Sequence, residues 1–328
     1  MSPQHFDILL EKVSPIIAKK DTTFRRPISP ETRLTITLRY LASGDSYRSL
    51  MLLFRNTNHL WKSCKYSNFR LIEQVPRTQN EWNKIAEDYY VQWQFPNCLG
   101  ALDGKHITIR CPSNSGSLNF NYKHTFSVVL MALTDANYKL IYIDVGCKGR
   151  ISDGGVFNRC SLYQAIENNS LNIPPPRSLP GSNVVAPFVI VADDAFALRP
   201  YLMKPFNFRG QDQSEQIYNY RLSRARRMVE STFGMLASKF RLLRTTIELS
   251  EQNVKLCVLA ICSIHNWLAT IDPESYLALE INQEETLDNL GGVANEQSIS
   301  NERGKNIQEI FKTYFTCEGQ VPWQYEMI

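Results

Sequence analysis

Phe188-Val189-Ile190-Val191-Ala192-Asp193-Asp194 is a run of five apolar residues, three of them β-branched, that stops abruptly at two carboxylates. Its length and β-branched content read as a short buried strand. Successive side chains of an extended strand point to opposite faces, so Asp193 and Asp194 cannot both serve one ligand unless the strand breaks between them. Alternation alone does not choose between the two.

Working outward, Leu99 to Cys111, Phe126 to Leu133 and Leu140 to Val145 are β-rich, and Asp135-Ala136-Asn137 supplies a turn joining the second to the third. A helix is expected from Gly155 to about Glu167, then a loop holding Pro174, Pro175, Pro176 and Pro180. Downstream of the strand, Arg221 to Phe240 reads as a long helix. Its apolar stripe is Val229, Phe233, Leu236 and Phe240, at steps of four, three and four. Strand, hairpin, helix, strand, helix is the order of an RNase H-like core. Ahead of it, Ser29-Pro30-Glu31 is a helix start, Leu34, Ile36, Leu38 and Leu41 follow, and Gly44 is a stop. A second helix from Asp45 or Ser46 then fits a helix-turn-helix.

The expected fold class is α/β: an RNase H-like mixed sheet flanked by helices, preceded by a small all-α, helix-turn-helix-like region. The expected organisation is an N-terminal helical arm (1–28), a helical, helix-turn-helix-like region (29–95) and an RNase H-like domain (96–270). An acidic linker (271–302) and a C-terminal amphipathic segment (303–328) complete it.

Composition narrows the function classes. Of 328 residues, 43% are hydrophobic, enough for a real core, and the eight cysteines stand singly with no C-x-x-C pair. They read as reduced thiols, which points to the nucleus or cytosol. No run of about 18 apolar residues is present, so no membrane partner is expected. The net charge of +4 is unevenly spread. Lys19, Lys20, Arg25, Arg26, Arg33, Arg39, Arg48, Arg55, Lys62, Lys65 and Arg70 face only Asp21, Glu31 and Asp45 in the same stretch. From Asp272 to Glu302 there are acids and no Lys or Arg. A basic front suits a polyanion, because phosphate binding is driven largely by charge neutralisation and counterion release; a solvated helix surface is the plainer reading.

Three carboxylates carry the chemistry. Phosphodiester hydrolysis needs an activated water and stabilisation of charge on the attacking and leaving oxygens, which two Mg²⁺ ions about 4 Å apart can supply. Mg²⁺ takes oxygen ligands, and strand-end carboxylates plus one on a crossing helix would hold such ions. Asp103 lies in Gly100-Ala-Leu-Asp-Gly-Lys-His106, Asp193 ends the buried strand and Glu230 lies in the long helix. Singly, each has a plain explanation: a turn residue, a helix cap and a partner for Arg226 or Arg227. Gly234 and Ala237 leave the face of Glu230 free of bulk. Lys105, Arg221, Arg224, Arg226 and Arg227 are candidate phosphate contacts. A P-loop is excluded by three residues between Gly100 and Gly104 where four are needed, no G-x-S-x-G occurs, and the five histidines lack metal-type spacing.

These segments resemble the PIF/Harbinger transposases and their domesticated nuclease relatives from about residue 28 to 328. The matching runs are Leu38 to Tyr47, Phe95 to His106, Gly146 to Phe157 (Gly-Cys-Lys-Gly-Arg-Ile-Ser-Asp-Gly-Gly-Val-Phe), Ala192 to Leu198, Asn219, Arg224 to Gly234, and His265-Asn266. The resemblance implies that Asp103, Asp193 and Glu230 form the catalytic, metal-binding triad, with Mg²⁺ or Mn²⁺ as cofactor. It implies cleavage of double-stranded DNA at transposon ends by water, strand transfer, and a Myb-like accessory protein; a second copy of the chain is a further candidate partner. Asp193 is chosen over Asp194 by alignment with the family's Gly-Asp. One departure is the segment Asn56 to Val75, shorter than usual and running through Trp61, Cys64, Tyr66 and Phe69 where the family carries a Ser/Thr-rich recognition helix. A domesticated, catalytically silent DNA-binding or scaffold protein is the rival expectation.

Overall fold

The computed structural model describes residues 1–19, 28–54, 75–207, 209–278 and 302–328. Nearly all of the atypical segment Asn56 to Val75, most of the acidic linker, and Lys20, Arg25, Arg26, Arg55, Lys62, Lys65 and Arg70 lie outside them.

Helix α1 (Pro3–Ile17) packs on α2 (Pro30–Ser43), which starts on the Ser29 cap and ends at Gly44. Gly44 adopts φ +69°, a left-handed conformation that favours glycine, and its N–H closes the helix on Tyr40. Helix α3 (Tyr47–Phe54) follows. Helix α4 (Gln79–Trp93) opens with a reciprocal capping box between Thr78 and Glu81 and delivers the chain to β1 (Cys98–Thr108).

Strand β1 pairs antiparallel with β2 (Ser127–Thr134), and β2 with β3 (Leu140–Lys148). The β2–β3 turn is the expected one: Asp135 Oδ1 accepts from the N–H groups of Asn137 and Lys139, both at 2.8 Å. The single helix expected over Gly155 to Glu167 is two short ones, α5 (Asp153–Phe157) and α6 (Ser161–Glu167). They are divided where the Cys160 sulfur caps the second by accepting from Tyr163 N–H. A two-stranded ribbon of β4 (Arg177–Ser178) and β5 (Val185–Ala186) precedes β6 (Val189–Val191), the strand read from the sequence, and β7 (Leu202–Met203). The main sheet has the order β3-β2-β1-β6-β7, with β6 and β7 parallel to β1. This is a mixed sheet of the RNase H-like kind.

Every residue of β2 is buried because both faces of the sheet are covered. Val128, Leu130 and Ala132 join a core that includes helices α7 (Gln213–Lys239) and α8 (Glu251–Ile271); Val129, Met131 and Leu133 join a second core under α4, α5 and α6. Helix α7 begins eight residues before the expected Arg221, because Asp212 and Glu215 form a capping box that the apolar stripe does not reveal.

Helix α8 is long and apolar enough to cross a membrane, yet most of it is buried inside the fold. His265 and Asn266 on it are architectural. Asn266 pairs with both the N–H and the carbonyl of Leu140, and His265 Nε2 lies 2.7 Å from the Tyr138 carbonyl. Together they pin α8 to the start of β3. After α9 (Pro273–Ala278), helix α10 (Glu302–Thr316) sends Phe311, Tyr314 and Phe315 into the same core as the sheet.

Candidate active site

Strand β6 is too short to cover the edge of β1. Its ladder ends at Ala101↔Val191, so β1 runs on past Asp103 with that edge open, and the chain leaving β6 turns away at Asp193. A notch results, floored by β1 and roofed by α7.

Face assignment follows from alternation and packing. Ala101 and Val191 belong to the core on the α7 side, while Leu102, Ile190 and Ala192 belong to the opposite core. Asp103 and Asp193 therefore project to the α7 side, as does Lys105, whose Nζ lies 5.6 Å from the centre of the Phe233 ring. Asp194 turns the other way and pairs with Lys204, Nζ to Oδ1 2.9 Å. The sequence left Asp194 to cap the following turn or to meet Arg199. Instead Asp193 Oδ1 takes the Ala195 N–H at 2.9 Å, and Arg199 goes to Asn158 and Glu167.

A fourth carboxylate lies close by on the opposite face of β1, and the sequence reading had matched its motif without assigning it a role. Asp153, first residue of α5, tucks against β1 where Gly104 has no side chain, and a Cβ at 104 would collide with the Asp153 carboxylate. Asp153 Oδ1 is buried with no hydrogen-bond partner among the described residues. The usable signal was a carboxylate followed by Gly154-Gly155, the first of them small enough to slide beneath the loop at Ala195.

Electrostatics fits this crowding. Burial first, and then the Asp193 charge, push Asp103 up to about 7, against the opposing pull of Arg226 and the Gly104 N–H. Burial, followed by Asp103 and Asp193, pushes Asp153 up to about 8. Burial also raises Asp193, partly offset by Arg226. His106, one strand face away, is held neutral by burial at about 4 and lies 2.8 Å from Ser127 Oγ, so at neutral pH it carries no charge and is only a weak base.

From α7, Glu230 reaches the vicinity of Asp103 but is 46% exposed and paired with Arg226, Nη2 to Oε1 2.9 Å. As the side chains stand, no three of the described His, Cys, Asp and Glu converge tightly enough to ligate one ion. Asp103, Asp193 and Glu230 nevertheless offer only oxygens, the donors a hard divalent cation takes, and the charges of Asp193 and Glu230 act against that of Asp103. A Cβ at Gly234 would meet nothing within 4 Å, so the face beside Glu230 is open.

The basic candidates separate. Arg226 faces the carboxylates, Arg227 is exposed, and Arg224 lies over Trp323 at 5.5 Å. Arg221 does not belong with them. It is 1% exposed and donates to the carbonyls of Gly319 and Gln94 and to Gln324 Oε1, so it holds the C-terminal segment rather than a phosphate. In the basic front, Arg33 is buried and donates to the Ile28 carbonyl, and Arg39 pairs with Asp45 at 3.2 Å.

The sequence profile of the DDE superfamily endonucleases matches residues 102–266, half of the chain, and spans Asp103, Asp153, Asp193 and Glu230. The chain belongs to the DDE superfamily endonucleases. It is 20% identical over 286 residues to an ALP1-like protein of Arabidopsis thaliana, covering 84% of this chain and 70% of that one. It is 22% identical to Antagonist of like heterochromatin protein 1 of the same plant (78% and 66%). It is 25% identical over 252 residues to HARBI1 of Xenopus laevis, named as a candidate nuclease (74% and 68%). These relatives support the Harbinger resemblance, and the chain spans about two thirds of their length. No solved structure matches it. As a DDE superfamily endonuclease the chain is of a nuclease and transposase kind.

Proposed function

We propose that this chain is a divalent-metal-dependent endonuclease that hydrolyses phosphodiester bonds of double-stranded DNA, with strand transfer as a second step. The observation that carries the reading is the meeting of Asp103 and Asp193 on the α7 face of an open notch, with Glu230 and Arg226 above them. Asp103, Asp193 and Glu230 would hold Mg²⁺ or Mn²⁺, which when bound supplies charge stabilisation at the phosphate and a more acidic water. Asp103 and Asp193 orient the phosphate by fixing where positive charge can sit. Arg226, released from Glu230 when that carboxylate turns inward, donates to a phosphate oxygen. Lys105, Arg224 and Arg227 add phosphate contacts around it. We place the protein in the nucleus with its substrate, with a Myb-like protein supplying sequence recognition and a second copy of the chain as further partner.

Purified protein with Mg²⁺ or Mn²⁺ should nick duplex DNA, and Asp103→Asn or Glu230→Gln should abolish nicking while the melting curve survives. Equal nicking in excess chelator would sink the proposal. The pairing of Glu230 with Arg226 favours a second reading, a domesticated DNA-binding protein that no longer cuts. It predicts DNA binding with no metal-dependent product, and no loss of affinity for metal, read by calorimetry, on Glu230→Gln.

A further inference from the structure

Between β1 and β2 the chain turns the usual burial pattern inside out. Leu118, Phe120 and Tyr122 are 54%, 38% and 60% exposed, while Asn119 and Asn121 between them are buried. The exposed apolar row is not slack. Asn121 Oδ1 accepts from the N–H groups of Lys123 and Thr125 at 3.0 and 3.1 Å, and its Nδ2 donates to Ser127 Oγ at 2.9 Å. Asn119 Nδ2 donates to the Ser127 carbonyl, and the Arg150 N–H to that of Leu118. Buried amides thus fix a lobe whose aromatic rings face water, an arrangement that costs hydration free energy unless something covers it.

Position and charge say what covers it. The Tyr122 ring meets His106, three residues along β1 from Asp103, at 5.5 Å edge to face. Besides partial burial, Asp153, Asp103 and Asp193 raise its phenol, so the ring stands near the carboxylates, on the His106 face of β1 beside its open edge. The lobe's exposed charges are cationic: Lys123, whose Nζ lies 5.6 Å from the Tyr122 ring, and Arg150. Exposed aromatics interleaved with cations, rigidly held, suit unpaired nucleobases with their phosphates, because every base offers a π-face and stacking needs no sequence.

We propose that the 118–124 lobe is a stacking platform for unpaired bases of the DNA strand next to the cleaved phosphate, with Tyr122 as its centre. This rests on the reading of the notch as a nuclease site, and it makes a frayed or overhanging end the preferred substrate. A duplex paired throughout keeps its base faces stacked on one another and offers Tyr122 none. Lys123 and Arg150 serve the backbone.

The test uses the full chain, without metal so that nothing is cut, and two fluorescent DNAs: a blunt duplex and the same duplex with a five-nucleotide single-stranded extension carrying 2-aminopurine. The wild type should prefer the extended DNA by about 5- to 100-fold, the range that one stacked base provides, and should quench the 2-aminopurine. Tyr122→Ala should erase most of the preference and the quenching with an unchanged melting temperature, whereas Tyr122→Phe should keep both. Lys123→Ala should weaken both DNAs alike and lower the salt slope by about one. If Tyr122→Ala keeps preference and quenching, the platform is refuted. Equal wild-type affinity for the two DNAs refutes it too and leaves the aromatic row to a protein partner. Metal-dependent nicking of the blunt duplex is scored separately: nicking without extension preference overturns this inference alone, whereas no binding of either DNA overturns the nuclease reading with it.

Discussion

Asp193 and Asp194 are neighbours of the same chemistry, and the turn just past β6 gives them different work. Asp193→Asn should remove metal affinity and cleavage at near wild-type stability. Asp194→Asn loses only an exposed pairing with Lys204, so stability should move within about 1 kcal/mol and cleavage should persist. Assaying both variants by nicking and denaturant melts checks this, and an inactive Asp194→Asn beside an active Asp193→Asn would reassign the ligand. Asp153 differs again, since its place depends on a missing side chain elsewhere. Gly104→Ala should destabilise by about 1–3 kcal/mol, because its methyl needs the volume that the Asp153 carboxylate fills. Shrinking the partner in Gly104→Ala/Asp153→Gly should recover part of that loss, and a pair of additive effects would deny the contact.

At the level of elements, the notch exists because β1 outruns β6, and its carboxylates share a poorly solvated space. That fixes how the metal-free protein responds to pH. Below about pH 4 the carboxyls are protonated in folded and unfolded chains alike. Above the ordinary aspartate value of 3.8 the unfolded chain loses protons that the folded chain keeps until about 7 at Asp103 and about 8 at Asp153. Bound protons are then more numerous in the folded state, so stability falls as pH rises through that window and is lowest above it. Chemical denaturation at pH 5 and at pH 8.5 in chelator should show the lower midpoint at the higher pH. Added Mg²⁺ should restore it at pH 8.5 and do little at pH 5, because cation and proton compete for the same oxygens. A midpoint independent of both would contradict this account of the notch.

Over the whole molecule, the last helix is part of the core. Phe311 and Phe315 pack on Phe95, with ring centres 5.4 and 5.2 Å apart, and Arg221 crosses beneath to hold Gly319 and Gln324. Arg221→Met removes those hydrogen bonds and leaves buried acceptors bare. It should cost about 2–3 kcal/mol and make the segment from residue 302 onward cleave faster in limited proteolysis. DNA affinity and its salt slope should not change, whereas Arg226→Met should lower both. A salt slope that falls with Arg221→Met would return that arginine to the phosphate contacts.

The sequence by itself determined the elements. An unbroken apolar run set β2, the Asp135 turn set the hairpin, and Ser29, Pro30 and Gly44 set both ends of α2, since each of these signals acts over a few neighbouring residues. It also supplied Asp103, Asp193 and Glu230, through the order of matched motifs rather than through any local geometry. Only the tertiary structure decided what depends on residues far apart in the chain. The early end of β6 beside β1 left Asp193 toward α7 and Asp194 away; the bare backbone of Gly104 admitted Asp153; and the closing C-terminal segment drew Arg221 inward. An arginine that binds phosphate and one that binds carbonyls look alike in sequence, because the side chain is the same and only burial among distant partners separates them.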